Sequence, residues 1–506
     1  HSHRRDFTMK SDLRLGHRRR RKRGRAAARI ATVCMLAGGA LTLVHYVRFI
    51  NTDLPLPDGV TLGGIPVGGL RGDRAIAQLQ AVYATPVTLR YGESVFQLQP
   101  HRVEFKVHGA AMLRQLTLPD APIRFWDTLR GRPQPPAPQE LGLEASFSRE
   151  KLRAFLIDVA RRYDRPAFTP WTDPEQLVTV ISPPAQLLRI DASLPFVEAA
   201  LQRPTERSAE LLFGIRPPDA PTLELLEGQL RDYLKRRSFD GLLSLYLVDL
   251  RSGAELQRNW LRAKALPVEP GVAFSGMSIM KITLLAEFYR QVSGGALPYE
   301  LDLVEKAVTE SSNWTSNLLI EWIGDLDAAR GLQRLNESYE RLGLRSTFIG
   351  GLYDTEEPPG FRHTPANSRS DVNTQPDAYM QTTSADIGRL LRGIYRCARS
   401  GDGLLIDTFG AEFTPEECTA MLDWLSANRI GVLLEAGVPE GTVVAHKHGW
   451  AQGEPIGDAG VVFTSGGDYV LVCYVWVPDY TYWDENSQLL ADVSKAVYFY
   501  FNPIIP

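Results

Sequence analysis

Between Arg29 and Arg48 runs an apolar stretch, Ile30 to Val47. It is eighteen residues long, without Asp, Glu, Lys or Arg and with a single His, His45. Such a stretch must be covered by lipid or by protein, and as a helix it is just long enough to cross a bilayer core. Charge around it is lopsided. Residues 1–29 hold twelve Lys or Arg against two Asp, including the run Arg18 to Arg23, whereas the remainder carries a net charge of about −13. A basic head on an acidic body is a topology signal rather than a nucleic-acid signal. The basic flank stays cytoplasmic, so everything beyond Arg48 is expected outside. The rival reading is a cleaved signal peptide. Gly38-Gly39-Ala40 is small enough to be cut, but cutting there leaves a short apolar region. Cys34 follows Val33 rather than a small residue, which argues against lipid attachment.

The 506 residues suggest two or three domains, and 44% apolar content allows large cores. The sequence divides into a basic cytoplasmic tail (1–29), a transmembrane signal anchor (30–50), an α+β domain (51–215), a Pro-rich linker (216–222) and a C-terminal domain (223–506). In the first domain Gly59 to Leu70 is glycine-rich. Ala75 to Tyr83 reads as a helix, and Val87 to Tyr91 with Val95 to Leu98 as a hairpin around Gly92-Glu93. Arg132 to Gln139 is a proline-rich loop. Arg149 to Tyr163 and Leu194 to Leu201 read as helices. No phosphate-loop pattern accompanies the glycines, so they read as tight turns. In the last domain Leu223 to Leu234 is a helix, Leu242 to Leu250 a strand, Gly460 to Phe463 and Tyr469 to Val477 two further strands, and Leu489 to Tyr500 a closing helix. That order implies an antiparallel sheet assembled from both ends of the domain and flanked by helices.

Three short motifs carry chemistry. Ser278-Ile279-Met280-Lys281 opens an apolar run at helical spacing (Ile282, Leu285, Phe288, Val292) that ends before Gly294-Gly295. A serine on a first helical turn has unpaired N–H groups nearby, and a lysine three residues on shares its face. A buried neutral lysine there can take the serine proton. Ser148-Arg149-Glu150-Lys151 has the same pattern in the other domain and reads as a helix cap with a surface lysine. The second motif, Ser311-Ser312-Asn313, offers a hydroxyl that can relay a proton and an amide that can hold a substrate amide; by itself it reads as a cap. The third, Lys447-His448-Gly449, supplies a positive charge for a carboxylate and a glycine that admits close approach. His446 and His448 share a strand face without a further His-rich pattern, so no metal is expected. Nothing implies a dissociable cofactor or nucleic acid. Of four cysteines, Cys397 and Cys418 are candidates for a disulfide in an oxidising exterior, with two separately buried thiols as the other reading.

Taken in order, the motifs resemble the active-site signature of class A β-lactamases and penicillin-binding proteins: S-x-x-K, S-D-N and K-T-G. The resemblance extends over about residues 222–506, and Gln381 to Asp386 is similar to the segment after the omega loop of class A enzymes. It implies a β-lactamase-like α+β fold. It implies Ser278 as the acylated nucleophile, Lys281 as its base and Ser311 as proton relay. Asn313 and Lys447 would bind the substrate amide and carboxylate beside Gly449, and the N–H groups of Ser278 and Trp450 would form the oxyanion hole. Gly59 to Leu70 with the helix and hairpin after it resembles the peptidoglycan-binding modules found beside cell-wall enzymes. The implied partners are therefore a β-lactam or peptidoglycan stem peptide, the cell wall, and the membrane through Ile30 to Val47. Three departures stand out. Ser312 replaces the Asp of S-D-N, and His448 replaces the Thr of K-T-G. No Glu lies between Glu357 and Glu412, where class A enzymes carry their deacylating Glu, and Asp371 is the nearest acid. Acylation with slow deacylation is expected. The alternative is a non-catalytic wall-binding protein that retains the fold.

Overall fold

A computed structural model describes residues 16–52, 54–118, 120–131, 138–292 and 295–506. Most of the proline-rich loop from Arg132, Gly294 and the first half of the basic tail lie outside the described residues. The chain forms two compact units, 1–166 with 185–216, and 167–184 with 217–506.

In the first unit an unbroken helix α1 (Gly16–Ile50) contains the apolar run. Its segment Ala26–Ile50 is long and apolar enough to cross a membrane, with mean hydropathy 1.8, a test that a signal sequence also passes. Then come α2 (Gly72–Tyr83), the hairpin β1 (Val87–Tyr91) and β2 (Ser94–Leu98), α3 (Ala121–Leu129), α4 (Arg149–Tyr163) and α5 (Ile190–Leu201). The hairpin is extended by a parallel strand, Ser208–Glu210, and buries Val87, Leu89 and Leu98 against Leu152 and Leu156 of α4 and Val197 of α5. Ser148 caps α4, accepting from Lys151 N at 3.2 Å, and Lys151 pairs with Glu104 at 2.6 Å. This S-x-x-K is structural.

The second unit does not begin at the 216–222 linker, as the sequence suggests. Residues 167–184 belong to it, because the hairpin β3 (Trp171–Asp173) and β4 (Val178–Val180) docks there. The Gln229 amide donates to Asp173 O and Val178 O, Ile181 N donates to Ile504 O, and Ile504 N to Thr179 O. The helix α6 (Leu223–Arg236) leads into β5 (Leu242–Asp249), β6 (Glu255–Leu261) and β7 (Lys264–Leu266). The helices α7 (Lys281–Gln291), α8 (Asn313–Ile323) and α9 (Ser384–Ser400) follow in the middle. The last elements are β8 (Val443–Trp450), β9 (Ile456–Phe463), β10 (Tyr469–Trp476) and α10 (Trp483–Phe501). The sheet order is β7-β6-β5-β10-β9-β8, antiparallel throughout, so the domain's first long strand pairs with its last, Leu242 opposite Trp476.

Alternation along the strands serves two cores. Tyr246, Val461 and Val472 face the helical middle with Ile282, Leu285 and Ile387, whereas Leu245, Val462 and Leu471 pack under α6 and α10. Strands buried on both faces explain why β5 and β10 read as near-continuous apolar runs. Cys397 of α9 is bonded to Cys418 in the helix Pro415–Ser426; Cys34 and Cys473 are free.

Candidate functional site

A tight turn, Met277–Met280, runs directly into α7. It presents Ser278 one turn before Lys281, so the two side chains share a face. The apolar positions of α7 drive it into the core so deeply that Lys281 goes with them and is 1% exposed. Its amine lies 3.1 Å from Ser278 Oγ, 3.2 Å from Ser311 Oγ, 2.5 Å from Ser311 O and 2.9 Å from Asn313 Oδ1. Ser311 Oγ is 2.9 Å from Ser278 Oγ, closing a triangle of two hydroxyls and one amine. Burial, and then the charge of Lys447, push the Lys281 amine down to about 7, against the opposing pull of Asp354. A lysine at that value is substantially neutral near pH 7 and can accept a proton.

The backbone around the amine is held in costly conformations. Met277, Ser311 and Asp354 all have left-handed φ, at +48°, +58° and +52°. Side-chain-bearing residues take this region only where the surroundings over-determine it. Here α8 does so for Ser311. Ser312 N donates to Lys306 O at 3.0 Å, and Ser312 Oγ caps the helix by accepting from Thr315 N at 3.2 Å. The residue that departs from S-D-N is therefore spent on helix capping.

On the opposite wall is β8. Lys447 is fully buried and, among the described residues, makes one hydrogen bond, to His448 O at 3.2 Å. Burial pushes it down to about 8, and only Asp458 resists. An ammonium so placed is short of acceptors and suits an incoming anion. Gly449 is where β8 touches the Ser278 turn: a Cβ there would meet Met277 Cβ at 3.1 Å and Ser278 N at 3.2 Å. Trp450 follows, half exposed and tilted on Trp483 at 5.0 Å between ring centroids.

The two histidines differ. His446 Nδ1 meets Asp458 at 2.9 and 3.0 Å and Nε2 meets Asn428 O at 2.8 Å, all buried. Burial disfavours the imidazolium, but the Asp458 carboxylate outweighs it and holds His446 above its usual range. Burial likewise opposes the Asp458 charge, and His446 reverses it, so the two form a buried ion pair. His448 is pushed down to about 4 by burial and then by Lys447, so it stays neutral; its Nδ1 is a buried atom without a hydrogen-bond partner among the described residues. Among those residues no three metal-ligating side chains cluster.

Asn313 departs from expectation. Its Oδ1 accepts from Lys281 and its Nδ2 donates to Asp354 Oδ2 at 2.9 Å, so both ends of the amide are engaged within the chain. Among the described residues no hydrogen bond joins Asp371 to Ser278, Lys281 or Ser311. Asp371 is clasped by Arg369 at 2.7 Å through both oxygens, which holds its carboxyl below the usual range. Tyr353 and Asp354 belong to the site without any motif to announce them. The Tyr353 ring sits 5.0 Å from the Lys281 amine and its hydroxyl donates to Met277 O at 3.3 Å. Asp458 did leave a sign, a lone carboxylate within the otherwise apolar strand Ile456–Phe463.

No curated protein sequence matches the chain. Solved structures that align with it include PBP-A, 23% identical over 56% of this chain and 98% of that one, with a TM-score of 0.40. A point mutant of PBP-A, described as an acyl-enzyme complex with penicillin G, gives 23%, 56%, 99% and 0.40. An ancestral class A β-lactamase gives 22%, 54%, 98% and 0.39. Residues 299–501 match the model of the β-lactamase enzyme family. That span holds Ser311, Asn313, Lys447 and Gly449 and begins after Ser278 and Lys281. The second unit thus carries a β-lactamase-like domain over residues 299–501, about two-fifths of the chain.

Proposed function

We propose that the second unit is a serine acyl-transferring hydrolase that acylates Ser278 with a β-lactam or a D-Ala-D-Ala-type amide of peptidoglycan. The observation that carries this is the neutral-range amine of Lys281 at 3.1 Å from the Ser278 hydroxyl. In this reading Lys281 takes the Ser278 proton as Oγ attacks the carbonyl carbon. The N–H groups of Ser278 and Trp450 stabilise the oxyanion. The proton passes from Lys281 to the leaving nitrogen through Ser311, 3.2 Å away. Lys447 holds the substrate carboxylate, and Asn313 binds the substrate amide after giving up Asp354. No carboxylate among the described residues is hydrogen-bonded to Ser278, Lys281 or Ser311, and Asp371 is held by Arg369. Water therefore lacks a base for the second step, and the acyl-enzyme persists. In this reading α1 acts as an uncleaved anchor, with residues 1–29 cytoplasmic and residues 51–215, like the second unit, outside the membrane.

A second reading is a wall-binding protein with a retired site. The engagement of both ends of Asn313 favours it.

A time course of labelled penicillin on the full chain in detergent, beside Ser278→Ala, separates these readings. A Ser278-dependent adduct lasting many minutes supports the acylating enzyme. An adduct that clears fast with destruction of the drug refutes slow deacylation. No adduct with penicillin or with an activated D-Ala-D-Ala depsipeptide sinks the enzyme reading.

A further inference from the structure

In the C-terminal part of α1, Leu41 to Ile50, only Thr42, Tyr46 and Phe49 are not exposed. They stand at i, i+4 and i+7, one stripe of the helix. The aromatic pair is covered by α3: Phe125, itself buried, meets Tyr46 edge-on at 5.2 Å and Phe49 at 5.4 Å. Ile123 and Trp126 of α3 lie outside this contact, and Leu129 stands at its edge. Ile123, Trp126 and Leu129 are 54%, 47% and 58% exposed. Spaced three apart, they form one face of the helix.

Depth is what gives this face its meaning. Ala26–Ile50 is 25 residues long, about 37 Å as a helix, against a hydrocarbon core of about 30 Å. Even if all of the excess of about 7 Å lay on the outer side, Tyr46, about 6 Å below Ile50, would stand at the hydrocarbon edge, and Thr42, about 12 Å below it, inside. α3 packs against this same stretch. A groove of about 660 Å³ between the two helices is lined by Leu41, Phe49, Phe125 and Leu129 together with His45 and Arg48. An aromatic ring and a cationic side chain at that level are what the membrane–water interface selects.

We infer that α3 is a second membrane-contacting element, seated in the outer headgroup region with Ile123, Trp126 and Leu129 turned into lipid, so that the first unit is docked on the bilayer rather than merely tethered to it. This rests on the reading of α1 as an uncleaved anchor.

The test uses the full chain in phosphatidylcholine–phosphatidylglycerol vesicles, in a Cys34→Ser background. Nitroxide labels are placed singly at Ile123→Cys and Leu129→Cys on α3, at Leu36→Cys in α1, and at Val95→Cys, an exposed position of the same unit. Oxygen accessibility is compared with that of a water-soluble nickel chelate. The expected result is an oxygen-to-nickel ratio at 123 and 129 severalfold above that at 95 and below that at 36, unchanged when protein is diluted in lipid. Ratios at 123 and 129 equal to that at 95, with 36 still deep, overturn the docking of α3 and leave the anchor standing. A water-like ratio at 36 overturns the anchor and the inference with it. A high ratio at 123 that falls on dilution shows a second copy covering the face and also overturns the inference.

Discussion

The Lys281 amine stands 3.1 Å from the Ser278 hydroxyl, buried, with its charge disfavoured by the second buried amine of Lys447. Arginine at 281 would restore a permanent charge and could not accept a proton. Lys281→Arg should slow labelling by penicillin about 100-fold or more, within the range by which general bases contribute. Ser278→Ala should give no adduct. Stopped-flow labelling reads the rates, and a thermal melt verifies folding of both variants.

Acylation should be bell-shaped in pH. Lys281 must be neutral, so the rate climbs as pH rises through about 7. Lys447 must be protonated to hold a carboxylate, so the rate falls as pH rises through about 8. The optimum lies in the narrow window between them. Lys447→Arg keeps the charge at all working pH and should abolish the alkaline limb alone. A flat profile from pH 6 to 9 would show that neither amine takes part.

The same burial makes Lys281 a liability for stability. Its folded value, about 7, lies below the usual lysine value of about 10.4. The folded state therefore binds fewer protons than the unfolded one between these limits. Stability rises with pH from about 7 to about 10, and the full penalty applies below 7. Lys281→Met, similar in length and uncharged, should melt higher than the parent at pH 6, by a margin that narrows toward pH 10, while losing acylation. A Met variant that melts lower at pH 6 would mean that the amine's four hydrogen bonds outweigh its desolvation.

Ser312 caps α8 and does not reach the amine. Ser312→Ala should cost about 1 kcal/mol of stability, the usual worth of a cap. Ser312→Asp, which caps as well, should melt like the parent and acylate within a few-fold of it. A large rate change in the Asp variant with unchanged melting would place position 312 in the chemistry after all.

What the sequence revealed follows from periodicity. Arg149 to Tyr163 is a helix over the expected span, and the hairpin at Gly92-Glu93 and the sheet built from Leu242 and Tyr469 onward stand where alternation and apolar runs put them. Each carries a repeat long enough to register. The hairpin Trp171–Val180 has only three residues per strand, too short for a period, so its membership of the second unit was hidden. α3 is short and starts with Ala121-Pro122, and its apolar residues divide between the buried Phe125 and the exposed Ile123 and Trp126, so no single periodic face registers. At the site, Ser278, Lys281, Ser311 and Lys447 could be named because three short motifs fix local geometry. Tyr353 and Asp354 come from a loop whose path depends on Asn317, which both donates to Tyr353 O and accepts from its N–H. The lock on Asn313 could not be anticipated, since it depends on a partner forty-one residues away.

The pairing of Leu242 with Trp476 also sets the order in which the site comes into being. A nascent chain that has emerged only as far as Gly466 already contains Ser278, Lys281, Ser311 and Lys447. Yet β10, the strand between β5 and β9, has not appeared. Until it does, β8 and β9 have no sheet to join, and the wall bearing Lys447 and Gly449 cannot close on the serine's turn. Contacts this distant in sequence form late. Ser278 therefore stays apart from Lys447 during synthesis, and the cluster is completed only when the closing strand slots into the middle of the sheet.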